Sequence, residues 1–224
     1  MVNKDILGKI ILGLPELIVL HTRPSVAYDL IDQLTKNMIQ NSNLKLTENA
    51  VVEIGPFGKI NFPFISMGAI NSLDLFGLDE LIIFSYYWKN KDKYQKTVDI
   101  GANIGLHSLM MSRCNWSVKS YEPDPVHIKI LKKNLEINNI TNVNIQEKAV
   151  SDKAGTLDFI RVKGNTTGSH LAGSKTNPYG ELDNFPVQVE SFKEAIKGAD
   201  FVKVDVEGHE TKLILSTEKD DWRK

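Results

Sequence analysis

TVDIGANIGLHSLMM, residues 97–111, joins a short apolar run to a helical pattern through a turn that carries almost no side chains. The apolar run ends in an acid, Asp99, and two glycines follow at Gly101 and Gly105, with Asn103 between them. Glycine adopts left-handed backbone conformations and lets another group approach the backbone closely. The stretch therefore predicts a strand, a tight turn and a helix, with something lying against the bare backbone of the turn.

Strands and helices alternate downstream of this turn. SVKSYEP predicts a second strand and NVNIQEKAV a third, and DPVHIKILKKNLEINN between them predicts a helix with Asp124 as its N-cap. GTLDFIRV and FPVQVESF are further strand candidates on either side of a loop at 163–185, and ADFVKVDVEGHE closes the series as strand, turn and helix start. This order predicts a parallel sheet with right-handed crossovers.

The N-terminal part of the chain has a different pattern. Residues 1–45 predict helices, one of which has Ser25 as its N-cap. AVVEIGPFGKINFPF then predicts a β-hairpin, and a further helix is predicted from Leu78 to Lys89. We therefore predict two domains, an N-terminal extension of helices and a hairpin at 1–96 and an α/β domain at 97–224.

Charge, hydropathy and cysteine content narrow the function classes. A formal net charge of −1, without a basic stripe interleaved with aromatic residues, argues against a nucleic-acid partner. KIILGLPELIVL is short for a membrane span and is broken by a Pro-Glu pair, so we expect no span but an amphipathic helix docked on the body or on a partner subunit of a homo-oligomer. The single cysteine, Cys114, excludes an intrachain disulfide and predicts a buried, inert thiol in a cytoplasmic protein.

The glycine turn predicts a cofactor, and its spacing separates the cofactor classes. Dinucleotide-binding turns follow G-x-G-x-x-G, whereas here Asn103 replaces the second glycine and Gly105 comes one residue early. The Gly-Lys-Ser/Thr of a Walker loop is absent. S-adenosylmethionine carries no phosphate, and it needs one acid for its polar, partly cationic parts and another for its ribose hydroxyls. Asp99 and Glu122 stand at two strand ends that would meet in one crevice.

Five blocks resemble the FkbM-type methyltransferases in order and spacing: VDIGANIGLHSL, YEPDP, LKKNLEINN, AVSDKAGTLDF and FVKVDVEGHE. The resemblance covers residues 97–215. It implies a Rossmann-like class I methyltransferase sheet, an α/β fold with helices on both faces, to which the N-terminal helices and hairpin are added. It also implies S-adenosylmethionine as cofactor, S-adenosylhomocysteine as its product, and O-methylation of a hydroxyl on a sugar, glycan or other small metabolite. The family's sheet normally continues after the DVEGHE helix, so its C-terminal strands are expected to be missing here.

Carried over by position, the resemblance implies a cofactor site and an acceptor site. The implied cofactor residues are Asp99, Gly101, Asn103 and Gly105 in the turn, Glu122 at the ribose, Ala149 and Ser151 near adenine, and Asp205 beside the methionine end and the reacting methyl group. The implied acceptor-side residues are Glu207, His209 and Glu210. Asp124 is implied only as a helix cap.

Methyl transfer to an aliphatic hydroxyl needs a group that takes the hydroxyl proton. We predict His209 as this base, since an ordinary histidine titrates near neutrality, with Asp205 orienting the hydroxyl or the base. An equally weighted alternative is that His209 only contacts its own turn, while Glu207 bonds the free N–H groups of the following helix. His170 is predicted either to touch the acceptor, to act as a second base or to lie on the surface, and His127 is expected at the surface.

A divalent metal is a hypothesis that we do not favour. Oxygen and imidazole ligands from Asp205, Glu207, His209 and Glu210 suit Mg²⁺, Mn²⁺ or Zn²⁺. However, neighbouring residues on one turn rarely all point at one ion.

Two other functions stay open. An NAD-type oxidoreductase on a similar sheet also carries an acid after its second strand, so Glu122 alone does not separate the two enzymes. A protein that binds the cofactor and serves assembly without catalysis would fit a sheet without its last strands.

Overall fold

The computed structural model describes residues 6–18, 22, 25–41, 51–175 and 180–222. The helices in this part of the chain are α1 (Ile6–Gly13), α2 (Val26–Asn41), α3 (Leu78–Lys89), α4 (Leu106–Arg113), α5 (Pro125–Ile137), α6 (Phe192–Ile196) and α7 (Glu210–Leu215). The strands are β1 (Val51–Glu53), β2 (Lys59–Asn61), β3 (Lys96–Ile100), β4 (Ser117–Tyr121), β5 (Val143–Gln146), β6 (Ala149–Ser151), β7 (Gly155–Val162), β8 (His170–Leu171), β9 (Leu182–Ser191) and β10 (Phe201–Val204).

The chain forms two compact units. One consists of Met1–Ser66 and Ile70–Lys93, and the other of Met67–Ala69 and Tyr94–Lys224. The domain boundary between residues 96 and 97 stays a prediction.

The first unit contains α1 to α3 and an antiparallel hairpin of β1 and β2. The predicted hairpin is confirmed, and its strands are joined through a short 3₁₀ turn at Gly55–Phe57. Ser25 caps α2 as predicted, because its Oγ accepts a hydrogen bond from the backbone N–H of Tyr28 at 3.0 Å. This bond satisfies one of the N–H groups that a helix start leaves without a partner.

The face that α2 buries is not its most apolar one. Tyr28 and Thr35 are buried, whereas Val26, Leu30 and Leu34 are all more than half exposed. The predicted homo-oligomer contact through the N-terminal segment stays a prediction. Among the described helices, none combines the length and the hydropathy that crossing a bilayer requires.

The second unit is built on a four-stranded parallel sheet with the order β10-β3-β4-β5. The α/β fold with a parallel sheet, predicted from the alternating pattern, is confirmed. Asp99 lies in the middle of this sheet, paired in register with Lys203 on one side and with Ser120 on the other. Among the described strands, β10 is at one edge, and its neighbour β3 leads into the glycine turn.

A second, mixed sheet has the order β6-β9-β7-β8. The prediction of one strand at NVNIQEKAV was wrong, because the chain turns after β5 and β6 then pairs with β9 instead of extending the first sheet. The turn closes with a hydrogen bond from the N–H of Lys148 to the carbonyl of Gln146 at 2.8 Å. The predicted strand FPVQVESF starts earlier, at Leu182, because β9 pairs with the whole length of β7.

Candidate active site

The bare backbone of the turn at 101–105 is required by the protein's own chain. Gly101 and Gly105 have φ values of +78° and +90°, and Asn103 between them has φ +52°. A Cβ on Gly101 would lie 1.8 Å from the carbonyl oxygen of Asp205, which is far inside van der Waals contact. A Cβ on Gly105 would lie 3.0 Å from Cγ of Leu131 in α5. The two glycines therefore let the turn after β10 and helix α5 close on the glycine turn.

Asp99 lies in β3, just before this turn, and is not exposed to solvent. Its side chain is fully buried, and Oδ2 accepts a hydrogen bond of 2.6 Å from Oγ of Ser108. Nζ of Lys203 lies 3.2 Å from Oδ1 and also donates to the carbonyl of Gly101 at 3.0 Å. Through Lys203, Asp99 is therefore linked to the backbone of the turn. Its predicted contact with a cofactor stays a prediction.

Lys203 is a site residue that sequence reasoning missed. It stands in the FVKVDV strand two residues before Asp205, so both side chains leave the same face of β10. The signal was present in the sequence, since a lysine inside a buried parallel strand needs an acidic partner. Finding the partner required the register that sets Lys203 beside Asp99.

Glu122 follows β4 and is held at the mouth of the turn. It is 4% exposed, and its two oxygens accept different backbone N–H groups, Oε2 that of Asn103 at 2.8 Å and Oε1 that of Asp124 at 2.9 Å. A carboxylate accepts about four hydrogen bonds, so each oxygen keeps capacity for a hydroxyl. Oδ1 of Asn103 is a further buried acceptor without a partner in the described part of the chain. These acceptors fit the ribose hydroxyls and the amino group of S-adenosylmethionine.

Three further ionisable residues lie at or near Glu122, namely Asp124, Arg161 and His127. The predicted cap is confirmed, because Asp124 accepts the N–H of Val126 at 2.8 Å. Burial acts to raise the pKa of the Asp124 carboxyl, but the hydrogen bond from Arg161, the charge of His127 and the backbone N–H of Val126 together lower it below its ordinary value. The expected surface position of His127 was wrong, since its ring is 4% exposed and Nδ1 lies 3.7 Å from Oε1 of Glu122. Burial acts to lower the pKa of His127, but Glu122 raises it above its ordinary value.

The residues predicted near adenine lie in the second sheet. Ala149 and Ser151 are the two ends of β6, and both are buried. Oγ of Ser151 lies 2.9 Å from Nε2 of His209 and donates to Oδ1 of Asp152 at 2.9 Å. The hydroxyl of Ser151 is therefore engaged by protein groups, and the role of both residues at adenine stays a prediction.

His209, the predicted base, is buried with both ring nitrogens engaged. Nε2 faces Ser151, and Nδ1 lies 2.8 Å from Oγ of Ser174, which belongs to the segment after β8. The ring therefore contacts two other elements and not only its own turn. Burial, followed by the positive charge of Lys212, lowers the pKa of His209 below its ordinary value. The imidazole is therefore neutral near pH 7, which is the form that accepts a proton.

Asp205 lies in the turn after β10 and has a solvent-exposed carboxylate. Its side chain is 64% exposed, and Oδ2 lies 3.9 Å from Nζ of Lys203. Glu207, two residues later, has a left-handed φ of +56° and forms an ion pair of 2.7 Å with Lys175. A left-handed backbone is unfavourable for a residue other than glycine, and such strain often marks functional sites. Both acids keep their predicted roles toward cofactor and acceptor as predictions.

Glu210 takes the helix-start position that the sequence assigned to Glu207. Its Oε1 accepts the N–H of Val206 at 2.8 Å, and its Oε2 accepts the N–H of Gly208 at 3.0 Å. Burial acts to raise the pKa of the Glu210 carboxyl, but hydrogen bonds from backbone N–H groups of the turn, first that of Glu210 itself and then those of Val206 and Gly208, lower it below its ordinary value. Glu210 therefore holds the turn together, and the predicted capping by Glu207 was wrong because Glu207 points to Lys175.

His170 lies in the two-residue strand β8 and is 1% exposed, so the surface alternative was wrong. Nδ1 lies 2.9 Å from the carbonyl of Gly168, and Nε2 is buried without a partner among the described residues. A contact with the acceptor stays a prediction. As for a metal, the described residues contain no group of three or more His, Cys, Asp or Glu side chains arranged to hold an ion.

Acidification is expected to remove the stability that neutral His209 contributes. An unfolded histidine takes up a proton near its ordinary pKa of 6.5, whereas buried His209 does so only at lower pH. Between these two pKa values the unfolded state binds more protons than the folded state, so folding stability falls as the pH is lowered from 6.5 until the folded-state pKa is passed. Urea unfolding between about pH 7.5 and pH 5 should show a larger loss in the wild type than in His209→Gln. Other titrating groups, among them His127 with its opposite shift, are common to both proteins, and an equal loss would contradict the prediction.

Two proteins named as methyltransferases are similar to the chain in sequence. Methyltransferase sdnD of Sordaria araneosa is 27% identical over 158 residues, which cover 56% of this chain and 61% of the relative. Methyltransferase 1 of Beauveria bassiana is 26% identical over 149 residues, which cover 56% of this chain and 59% of the relative. The chain thus matches only about three-fifths of the length of these relatives.

Solved structures of methyltransferases also resemble the chain. A SAM-dependent methyltransferase from Agrobacterium tumefaciens matches 32% of this chain and 24% of its own, with 12% identity and a TM-score of 0.30. A protein-L-isoaspartate O-methyltransferase matches 64% of this chain and 41% of its own, with 16% identity and a TM-score of 0.34.

The methyltransferase FkbM domain matches residues 99–224, more than half of the chain. The match begins at Asp99 and takes in the glycine turn, Glu122 and the turn after β10. The resemblance that the five sequence blocks indicated is confirmed, and the chain belongs to the FkbM methyltransferase domain family.

Proposed function

We propose that the protein is an S-adenosylmethionine-dependent methyltransferase, with the cofactor held at the turn between β3 and α4. Membership of the FkbM family supports this proposal. The observation that carries it is Glu122, a buried carboxylate fixed by two backbone N–H groups at the mouth of a glycine turn. An acceptor of this kind suits the vicinal hydroxyls of a ribose, while the missing G-x-G-x-x-G spacing argues against a dinucleotide. The proposal therefore explains both the acid and the missing phosphate-binding spacing.

We propose a hydroxyl on a sugar, glycan or other small metabolite as the methyl acceptor. When bound, the cofactor supplies a methyl group on sulfonium, so that the C–S bond breaks as the O–C bond forms. The side chain of Asp205 is the exposed acid beside the turn and is suited to orient the hydroxyl. Alignment of the reacting groups contributes a large part of the rate in such displacements.

The proton of the acceptor hydroxyl needs a route to a base. His209 is neutral near pH 7, but serine hydroxyls occupy both of its ring nitrogens. The Ser151 hydroxyl already donates to Asp152, so a proton reaching His209 would pass through Ser174, whereas the exposed Asp205 can meet the acceptor hydroxyl directly. We propose that Asp205 contacts the hydroxyl and that His209 acts behind it, tied to the acceptor-side segment through Ser174.

That segment is fastened to the turn after β10 at two points. Ser174 bonds His209, and the neighbouring Lys175 pairs with Glu207 at 2.7 Å. Both contacts join residues that follow β8 to residues that follow β10. Acceptor choice is proposed to depend on this double contact, because it fixes the segment after β8 beside the turn that carries Asp205.

Calorimetric titration with S-adenosylhomocysteine tests the proposed function. We expect the wild type to bind it and not NAD⁺, and we expect Glu122→Ala to weaken binding about 10- to 100-fold, since a hydrogen bond to a charged group contributes about 1.5–3 kcal/mol. Glu147→Gln is the matched control, because that carboxylate is 55% exposed and pairs only with Lys132 at the surface. Its titration should resemble that of the wild type.

Two outcomes would contradict the proposal. Binding of NAD⁺ instead would support the oxidoreductase alternative, and a folded protein that binds neither ligand would contradict a cofactor site at this turn. Binding of S-adenosylhomocysteine without methylation of any hydroxylated acceptor would favour the assembly protein over the enzyme.

A further inference from the structure

We propose that Arg161, in the second sheet, is a positioning residue for the cofactor's ribose. It acts through Asp124, which fixes the carboxylate of Glu122 in the geometry that accepts the ribose hydroxyls. The inference rests on the proposed function, because it assigns Glu122 to the ribose. It gives the second sheet a task in cofactor recognition.

The first contact is a two-pronged ion pair. Nε of Arg161 donates to Oδ2 of Asp124 at 2.6 Å, and Nη2 donates to Oδ1 at 2.6 Å. Asp124 is fully buried, and the side chain of Arg161 is only 16% exposed. Because the guanidinium and the carboxylate are both planar, a pair of parallel hydrogen bonds fixes orientation as well as distance.

The second contact carries this orientation to Glu122. The backbone N–H of Asp124 donates to Oε1 of Glu122 at 2.9 Å, while the Asp124 side chain caps α5 at Val126. Arg161 therefore holds the side chain of the residue whose N–H fixes one oxygen of Glu122. The other oxygen is fixed by the N–H of Asn103, in the glycine turn. Glu122 is thus held by the glycine turn on one oxygen and, on the other, by a residue that the second sheet positions.

Arg161 is itself anchored within the second sheet. Its Nη1 lies 3.1 Å from Oδ2 of Asp183, which is its register partner in β9, and its guanidinium lies 4.7 Å from the ring centre of Phe185. A guanidinium stacked on an aromatic ring loses little further freedom when it binds a carboxylate. The anchor therefore sets the position of Asp124 instead of following it.

Charge balance supports the same assignment. Glu122 and Asp124 are buried acids within three residues, and burying two like charges together is unfavourable without a cation. Arg161 supplies a permanent positive charge, and His127 lies 3.7 Å from Glu122 on the opposite side. A lysine in place of Arg161 would keep the positive charge but could not donate the two parallel hydrogen bonds to Asp124.

The test compares two ligands, S-adenosylhomocysteine and its 2′,3′-dideoxy analogue, which lacks both ribose hydroxyls. We expect the wild type to prefer the ribose form about 10- to 100-fold, from the hydrogen bonds that Glu122 accepts. In Arg161→Gln this ratio should fall to within about threefold, through weaker binding of the ribose form alone. Arg161→Lys should give an intermediate ratio. Glu181→Gln, which removes the 75% exposed surface partner of Lys163 next to the same two strands, should keep the wild-type ratio.

A merely structural role for Arg161 would weaken both ligands equally and leave the ratio unchanged, and that result would overturn the inference. If Arg161→Gln does not fold, the ratio in Arg161→Lys decides, and an unchanged ratio there also overturns it. The two proposals fail in different ways. Absence of ligand binding in the wild type contradicts the proposed function, whereas binding with an unchanged ratio contradicts only the role of Arg161.

Discussion

Gly101→Ala is expected to destabilise the protein by about 2–5 kcal/mol and to abolish binding of S-adenosylhomocysteine. Two costs add at this position. An L-residue in a left-handed conformation costs about 1–2 kcal/mol, and packing a methyl group into occupied space costs about 1–3 kcal/mol more. The obstacle is backbone, the carbonyl oxygen of Asp205 only 1.8 Å from the new Cβ, so no side chain can rotate away. Relief requires β3 and the turn after β10 to separate, which opens the site.

Gly198→Ala is the matched control, and urea unfolding is the measurement. Gly198 has φ +72°, close to the +78° of Gly101, but a Cβ there would meet nothing within 4 Å. It should therefore lose only the conformational cost of about 1–2 kcal/mol and keep ligand binding. Equal losses in the two variants would show that the conformation alone, and not the contact with Asp205, requires glycine at position 101.

The order of elements around this glycine could be predicted because it rests on local patterns. The apolar run into Asp99, the glycines and the Asp124 cap are each encoded within a few residues, and the structure has a strand, a turn and a capped helix there. The division of NVNIQEKAV between two sheets could not be predicted in this way. It depends on pairing with β9, which lies some forty residues further along the chain.

The same distinction separates the predicted site residues from the missed ones. Glu122 was predicted because a strand end places it, and the structure holds it there with backbone hydrogen bonds. Arg161 was missed because it reaches Asp124 from β7 by tertiary packing, which no spacing reveals. His127 is close to Glu122 in sequence, but its burial could not be read from the local pattern of α5. Conversely, the sequence did not distinguish the roles of four polar residues in the DVEGHE turn. The fold directs each of them to a different partner or to solvent: Asp205, Glu207, His209 and Glu210.

Lys203→Met is expected to destabilise the protein by about 3–5 kcal/mol, because it leaves the fully buried carboxylate of Asp99 without its counter-charge. The loss should extend to cofactor binding, since Lys203 also donates to the carbonyl of Gly101 in the turn. Methionine has a similar volume and follows the same path, so the packing term is small. Urea unfolding and the titration with S-adenosylhomocysteine measure the two effects.

A double-mutant cycle separates the ion pair from the packing around it. Adding Asp99→Asn to Lys203→Met removes the buried charge, so the double variant should be less destabilised than the sum of the single variants. Lys212→Met is the surface control, since Lys212 pairs with Asp152 at 2.9 Å but is 53% exposed, and its loss should stay within about 1 kcal/mol. Additive losses in the cycle would contradict the prediction. They would mean that Asp99 does not depend on Lys203, and that the hydrogen bond from Ser108 is enough to keep the buried carboxylate stable.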